Sequence, residues 1–137
     1  AVEFSYHWLD YFDLAASANH LANSLSYGQQ RRLEIARALC TKPQLLCLDE
    51  PAAGLNNQET QALSDIIIKL NQTNKLTILI IEHDMALMMP LCHHLIVLDH
   101  GEVIAADTPS AIQKNPKVIQ AYLGSNRVKQ WSLCCCV

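Results

Sequence analysis

Residues 25–39 read LSYGQQRRLEIARAL, and this stretch predicts a helix that opens with a small hydroxyl residue and a glycine. Ser26 is a residue type that caps helix N-termini, and Leu33 and Ala36 recur at helical spacing. The first N–H groups of a helix have no partner within the helix, so this end favours an anion. Gly28 also allows a ligand to approach the backbone closely. The stretch therefore indicates a phosphorylated ligand.

A second stretch, residues 45–50, places two carboxylates directly after an apolar run. We expect a buried strand that ends at Asp49. Open α/β sheets bind their ligands at the carboxyl ends of strands, so the two carboxylates would lie where a ligand binds. Asp49 and Glu50 are the residue types that hold Mg²⁺ and orient an attacking water in nucleotide hydrolysis. For an Asp-Glu pair on its own, a solvated acidic strand end is the simpler alternative.

The rest of the chain alternates between strand and helix patterns. The apolar run at residues 76–81 predicts a central parallel strand, and His83 follows it closely. This alternation is typical of a doubly wound α/β sheet. The remaining predicted elements are helices at about 6–21, 29–40, 56–71 and 85–92, a hairpin at 95–105, and two short helices that open near Thr108 and Asn115.

Length and composition limit the classes of function. The chain has 137 residues, half of them apolar, and its 10 basic and 13 acidic side chains give a net charge of −3. This balance argues against a nucleic-acid surface. Cys40, Cys47 and Cys92 lie singly in apolar segments, where we expect small buried hydrophobes. Because the chain begins at Ala1 without a methionine, we expect part of a longer protein.

The order and spacing of these segments resemble the ATP-binding-cassette (ABC) ATPase family. Residues 25–29 match the signature sequence of that family, residues 45–50 its Walker B strand, and residues 53–56 its D-loop. The resemblance implies a three-layer α/β fold with a parallel sheet of the P-loop NTPase type, and it implies ATP and Mg²⁺ as ligands. It assigns Mg²⁺ binding through water to Asp49 and the general base to Glu50.

The same resemblance assigns the remaining site residues. His83 stands where the family has a switch histidine that contacts the γ-phosphate. The signature residues would bind, in trans, the nucleotide held by a second subunit, and Asn56 would contribute from the D-loop. These signature residues are Ser26, Tyr27, Gly28 and Gln29.

The sequence also departs from the family pattern. Tyr27 replaces the commonest glycine of the signature, and Asn56 stands where many members have aspartate. No Gly-x-x-x-x-Gly-Lys-Ser/Thr phosphate loop occurs, and the adenine-stacking aromatic and glutamine loop are missing. The resemblance therefore covers only the C-terminal half of a nucleotide-binding domain, which we expect to be inactive alone. We divide the whole chain into the end of a helical subdomain with a linker (1–24), the ATPase segment (25–124) and a non-family tail (125–137).

Four segments resemble the ATP-binding subunits of bacterial branched-chain amino acid importers. They are YGQQRRLEIAR (27–37), DEPAAGLN (49–56), IEHDM (81–85) and AYLG (121–124). The resemblance implies a head-to-tail dimer with a second ATPase subunit, bound to transmembrane permease subunits at the cytoplasmic face of the inner membrane. Two alternatives stay open: the ATPase of lipopolysaccharide export, and a non-catalytic interaction fragment.

Overall fold

The computed structural model describes residues 2–124 and 131–137, which form one mixed sheet with helices packed against it. The strands stand in the order β1-β2-β5-β3-β4. The helices are α1 (Val2–Tyr11), α2 (Tyr27–Leu39), α3 (Asn57–Asn74), α4 (Met85–Leu91), α5 (Pro109–Ile112) and α6 (Pro116–Gly124), with single 3₁₀ turns at Ala15–Ser17 and Ala22–Ser24. The strands are β1 (Leu45–Asp49), β2 (Thr77–Glu82), β3 (His94–Asp99), β4 (Glu102–Asp107) and β5 (Trp131–Cys136).

Helix α2 begins at the predicted cap. The backbone N–H of Gln29 donates to the Ser26 hydroxyl oxygen at 3.3 Å, and the Gln29 side chain accepts from the Ser26 N–H at 3.0 Å. This reciprocal capping box fixes the first turn. Helix α2 therefore starts two residues before the predicted boundary, at Tyr27.

The unit β1-α3-β2 forms the parallel part of the sheet. Strands β1 and β2 pair in register from Leu45 opposite Thr77 to Asp49 opposite Ile81. Helix α3 crosses between them and is capped by Asn56. The parallel pairing brings the carboxyl ends of both strands to one edge of the sheet, where the residues after Asp49 and Ile81 are neighbours.

The core lies along the two inner strands and the helices that cover them. Ile78 and Ile80 of β2 are fully buried, as is Leu95 of β3, while Phe12 anchors the end of α1 in the same cluster. The predicted α/β architecture and the hairpin, which appears as β3-β4, are confirmed. In the described residues, no helix combines the length and the apolar character needed to cross a membrane.

The structure differs from the sequence predictions in strand β1, helix α1 and the cysteines, and it adds a strand in the tail. Strand β1 is not buried on both faces: Leu46 is covered, but Leu45 and Cys47 are exposed. Helix α1 ends at Tyr11 rather than continuing to residue 21, because Asp13 adopts a left-handed backbone with φ of +56°. The tail, predicted only as a non-family segment, supplies β5. The three cysteines predicted to be small buried hydrophobes differ from one another: Cys40 is half-buried, Cys47 is exposed, and Cys92 is buried but disulfide-bonded.

Candidate functional site

Glu50 stands immediately after β1 in an unusual backbone conformation. Its φ of +44° lies in the left-handed region, which costs a non-glycine residue about 1–2 kcal/mol. Its N–H donates to the carbonyl oxygen of Ile81 at 2.8 Å, so the contact between β1 and β2 extends one residue beyond the strand. The chain thus turns sharply after Asp49 and holds the Glu50 side chain at the edge where β2 also ends. Strained backbone of this kind is typical of functional sites.

His83 and Glu50 are brought together at this edge. The imidazole Nδ1 of His83 lies 3.4 Å from Glu50 Oε1, with 42% and 54% of the two side chains exposed. This distance makes an ion pair when the imidazole is protonated. Both groups remain accessible to a ligand at the sheet edge. The two side chains that the sequence assigned to catalysis are therefore neighbours, as the strand-end argument predicts.

Glu82 is a site residue that sequence reasoning missed. Its side chain is 2% exposed and accepts hydrogen bonds from the backbone N–H of Ala52 at 3.0 Å and of His83 at 3.2 Å. It therefore joins the loop after Glu50 to the residue that carries the imidazole. The signal was present in the sequence, because a strand alternates its faces and Glu82 falls on the same face as Ile78 and Ile80. A carboxylate at an interior position needs partners.

The N-terminal end of α2, residues 26–29, forms a second part of the site, and we call it the mouth of α2. Ser26 is exposed, and its hydroxyl oxygen accepts from Gln29, which leaves the O–H hydrogen for another acceptor. The N–H groups of Tyr27 and Gly28 occupy the first helical positions and have no partner inside the helix. This arrangement offers three donors to an anion, and the helix dipole favours negative charge there.

The signature segment packs against the loop after β1. A Cβ added to Gly54 would lie 2.8 Å from Cε1 of Tyr27, so the Tyr27 ring rests directly on this glycine. A Cβ added to Gly28 would lie 2.7 Å from Oε1 of Glu59. Glu59 in turn accepts from the N–H of Asn56 at 3.0 Å in the capping box of α3. The structure thus brings Tyr27 and Gly28 next to the Gly54–Asn56 segment.

Arg31 fixes the Tyr27 ring from the other side. Its Nη2 donates to the Tyr27 hydroxyl at 2.8 Å, and its Nη1 donates to Glu34 Oε2 at 2.9 Å. The hydrogen bond with Glu34 is the main cause that raises the pKa of Arg31. The guanidinium therefore stays charged while it holds the ring in place.

The site consists of two separate groups. Among the described residues, no hydrogen bond or ion pair joins Ser26 or Gln29 to Glu50 or His83. Within residues 2–124 and 131–137, no three His, Cys, Asp or Glu side chains gather as a metal site. Asp49 and Glu50 are nevertheless adjacent and exposed. This suits Mg²⁺, which takes one or two protein carboxylates and completes its shell with water and substrate phosphates.

Comparison with known proteins agrees with the geometry. The sequence model of the ABC transporter family matches residues 2–53, and that of the branched-chain amino acid ATP-binding cassette transporter matches residues 102–127. The high-affinity branched-chain amino acid transport ATP-binding protein BraF of Pseudomonas aeruginosa is 51% identical over 124 residues, 90% of this chain and 49% of that protein. The chain therefore spans about half the length of this curated relative.

Solved structures give the same result. The ADP conformation of MJ1267, an ATP-binding cassette of an ABC transporter, superposes with a TM-score of 0.82 at 30% identity, over 90% of this chain and 50% of that chain. The dimeric structure of MJ0796, a bacterial ABC transporter cassette, superposes with a TM-score of 0.69 at 30% identity, over 78% and 46%. From these matches and the two-part site, the chain belongs to the ABC transporter family of ATP-binding proteins.

Proposed function

We propose that this chain is the C-terminal half of the ATP-binding subunit of an ABC importer, and that it supplies hydrolytic residues to branched-chain amino acid uptake. The observation that carries the proposal is the 3.4 Å approach of His83 Nδ1 to Glu50 Oε1 at the edge where β1 and β2 end. A solvated acidic pair would not need a strained backbone at Glu50 or a neighbouring imidazole.

The two side chains divide the work of phosphoryl transfer to water. Glu50 orients the attacking water and accepts its proton, while His83 donates a hydrogen bond to a γ-phosphate oxygen. Their partial exposure lets both reach a nucleotide at the sheet edge. Glu82 holds the His83 backbone relative to the loop that carries Glu50, so the two groups keep their separation.

Asp49 is the residue that would hold Mg²⁺, through water. When bound, the ion neutralises charge on the phosphate oxygens. The fit rests on the adjacent, exposed carboxylates of Asp49 and Glu50. Asp49 lies at the last position of β1, so the strand fixes its backbone.

The second group acts on a different nucleotide. Ser26, Tyr27, Gly28 and Gln29 form the helix mouth that binds the γ-phosphate held by a second subunit in a head-to-tail dimer. Two observations support this assignment: the mouth makes no hydrogen bond to Glu50 or His83 within the described residues, and the related cassette MJ0796 is known as a dimer. Asn56, whose N–H is held by Glu59, lies in the loop between the two groups and carries the contact between sites.

The names of the relatives support the proposed substrate and membrane partners. The name of BraF states branched-chain amino acid transport, and one of the two matching family models is specific to such transporters. We therefore place the subunit at the cytoplasmic face of the inner membrane, bound to transmembrane permease subunits. We therefore favour the import of branched-chain amino acids over the alternative of lipopolysaccharide export.

A hybrid protein tests the proposal. It joins the N-terminal half of Pseudomonas aeruginosa BraF, which brings the phosphate loop, to the whole of this chain. The expected result is steady ATP turnover that requires Mg²⁺, whereas the chain alone gives none. A folded, nucleotide-binding hybrid without turnover would contradict the proposal and favour the non-catalytic interaction fragment.

A further inference from the structure

The middle of the sheet is occupied by a strand from the end of the chain. Strand β5 pairs with β2 from Leu79 opposite Cys136 to Glu82 opposite Leu133. On its other side it pairs with β3 from His94 opposite Cys136 to Asp99 opposite Trp131. Both pairings are antiparallel, so β2 and β3 run parallel to each other on either side of it. Strand β5 begins beyond residue 127, where the second family match ends.

Strands β2 and β3 need a strand between them. Ile80 and Leu95 are fully buried, so the facing edges of these two strands lie in the core, where unpaired N–H and C=O groups are costly. The space between them is one strand wide, about 10 Å between β2 and β3. Relatives share this fold over 90% of the chain but are about twice as long. In such relatives the half that this chain does not represent can supply that strand.

The direction of the neighbouring strands indicates which strand fits. A strand that runs parallel to β2 and β3 would end at the edge that carries Glu50 and His83. A phosphate loop is built as a strand, a glycine-rich loop and a helix, so its strand must end beside the catalytic groups. By contrast, β5 runs the other way and brings its first residues, near Leu133, to that edge opposite Glu82.

We propose that β5 is a displaceable occupant of the space between β2 and β3. In a complete ABC ATP-binding domain this space is the acceptor site for the strand that leads into the phosphate loop. This inference rests on the proposed function, because it names the place where the complementary half joins. While β5 is in place, its first residues take the position of the phosphate loop, so the chain cannot form the complete nucleotide site.

Hydrogen exchange of the backbone amides tests this placement in two proteins, the 137-residue chain and the hybrid with BraF. In the chain alone, the amides of residues 131–136 should be protected by the backbone hydrogen bonds that β5 makes with β2 and β3. In the hybrid, the BraF strand should take the site, and these amides should exchange at least about tenfold faster while those of β2 and β3 stay protected. Both measurements are made under reducing conditions, so that the disulfide of Cys92 does not contribute.

The outcomes separate this inference from the proposed function. Fast exchange of residues 131–136 in the hybrid supports the acceptor site whether or not the hybrid hydrolyses ATP. Protected amides at 131–136 in a hybrid that hydrolyses ATP would overturn the acceptor site and leave the proposed function standing. A hybrid that does not hydrolyse ATP but whose amides at residues 131–136 exchange fast would overturn the proposed function alone.

A pair of variants provides a second measurement. Leu133→Pro removes a ladder N–H from β5, whereas Leu133→Ala keeps it. In the chain alone, Leu133→Pro should speed exchange in β2 and β3 at least about tenfold, and Leu133→Ala should not. In the hybrid, neither variant should change exchange in these strands. An equal effect of Leu133→Pro in both proteins would overturn the inference.

Discussion

The Tyr27 ring lies against the Cα of Gly54, so close that a Cβ on this glycine would approach Cε1 of the ring to 2.8 Å. Gly54 also has a left-handed backbone, with φ of +78°. The glycine thus serves two purposes at once: it turns the loop after Glu50 and makes room for the ring of the signature segment. This contact ties the mouth of α2 to the loop that follows Glu50.

Gly54→Ala should destabilise the chain more than Gly101→Ala. Gly101 has a similar φ of +82° but no atom within 4 Å of an added Cβ, so both substitutions carry the backbone strain and only one displaces a ring. We expect the difference in free energy of unfolding to be about 1 kcal/mol, the lower end of overpacking costs. Urea unfolding measures it. The difference should vanish in a Tyr27→Ala background, and its persistence there would show that the ring contact is not its cause.

Gly28→Ala should depend on Glu59. An added methyl group would displace the Glu59 carboxylate from the Asn56 N–H and so weaken the cap of α3. In a Glu59→Ala background the methyl group has room, and alanine favours the helix. We therefore expect Gly28→Ala to be about 1 kcal/mol more favourable in that background. A double-mutant cycle of urea unfolding tests this, and effects that add within about 0.5 kcal/mol would contradict the contact.

The elements with local signals were predictable from the sequence. Ser26 caps the helix expected of it, because capping depends on residues only three positions apart. The meeting of Glu50 and His83 followed from the parallel order of two strands. In contrast, β5 is paired with strands far away in the sequence, and its run of cysteines has no alternation that predicts a strand. The left-handed turn at Asp13, which ends α1 early, also has no strong local signal.

Glu82→Gln should destabilise the chain by about 1–3 kcal/mol, because the amide has one acceptor oxygen and points N–H groups toward one of the two backbone donors. These donors are the N–H groups of Ala52 and His83. Glu102→Gln is the control, since Glu102 is exposed at the start of β4. Urea unfolding of both variants measures the difference. Equal stability of the two variants would show that the buried carboxylate does not hold the site together.

Ser26→Arg in the hybrid should separate nucleotide binding from turnover. The substitution places bulk and positive charge at the helix mouth, where the proposed dimer would bring the nucleotide of the second subunit, but leaves the hybrid's own phosphate loop intact. We expect ATP affinity within about twofold of the hybrid and turnover lower by at least about 100-fold, the loss typical of a transition-state donor. Thr41→Arg, an exposed hydroxyl residue just beyond the other end of α2, is the control. Unchanged turnover in Ser26→Arg would contradict a role in trans.

The most direct test is ATP turnover by the hybrid with Glu50→Gln, measured together with ATP binding. The amide keeps the size of the side chain but cannot accept the proton of the attacking water. ATP binding should persist while turnover falls by at least about 100-fold, as expected when a general base is lost. Glu102→Gln should leave turnover unchanged. Turnover by Glu50→Gln equal to that of the hybrid would contradict the central claim that the strand-end carboxylate beside His83 drives hydrolysis.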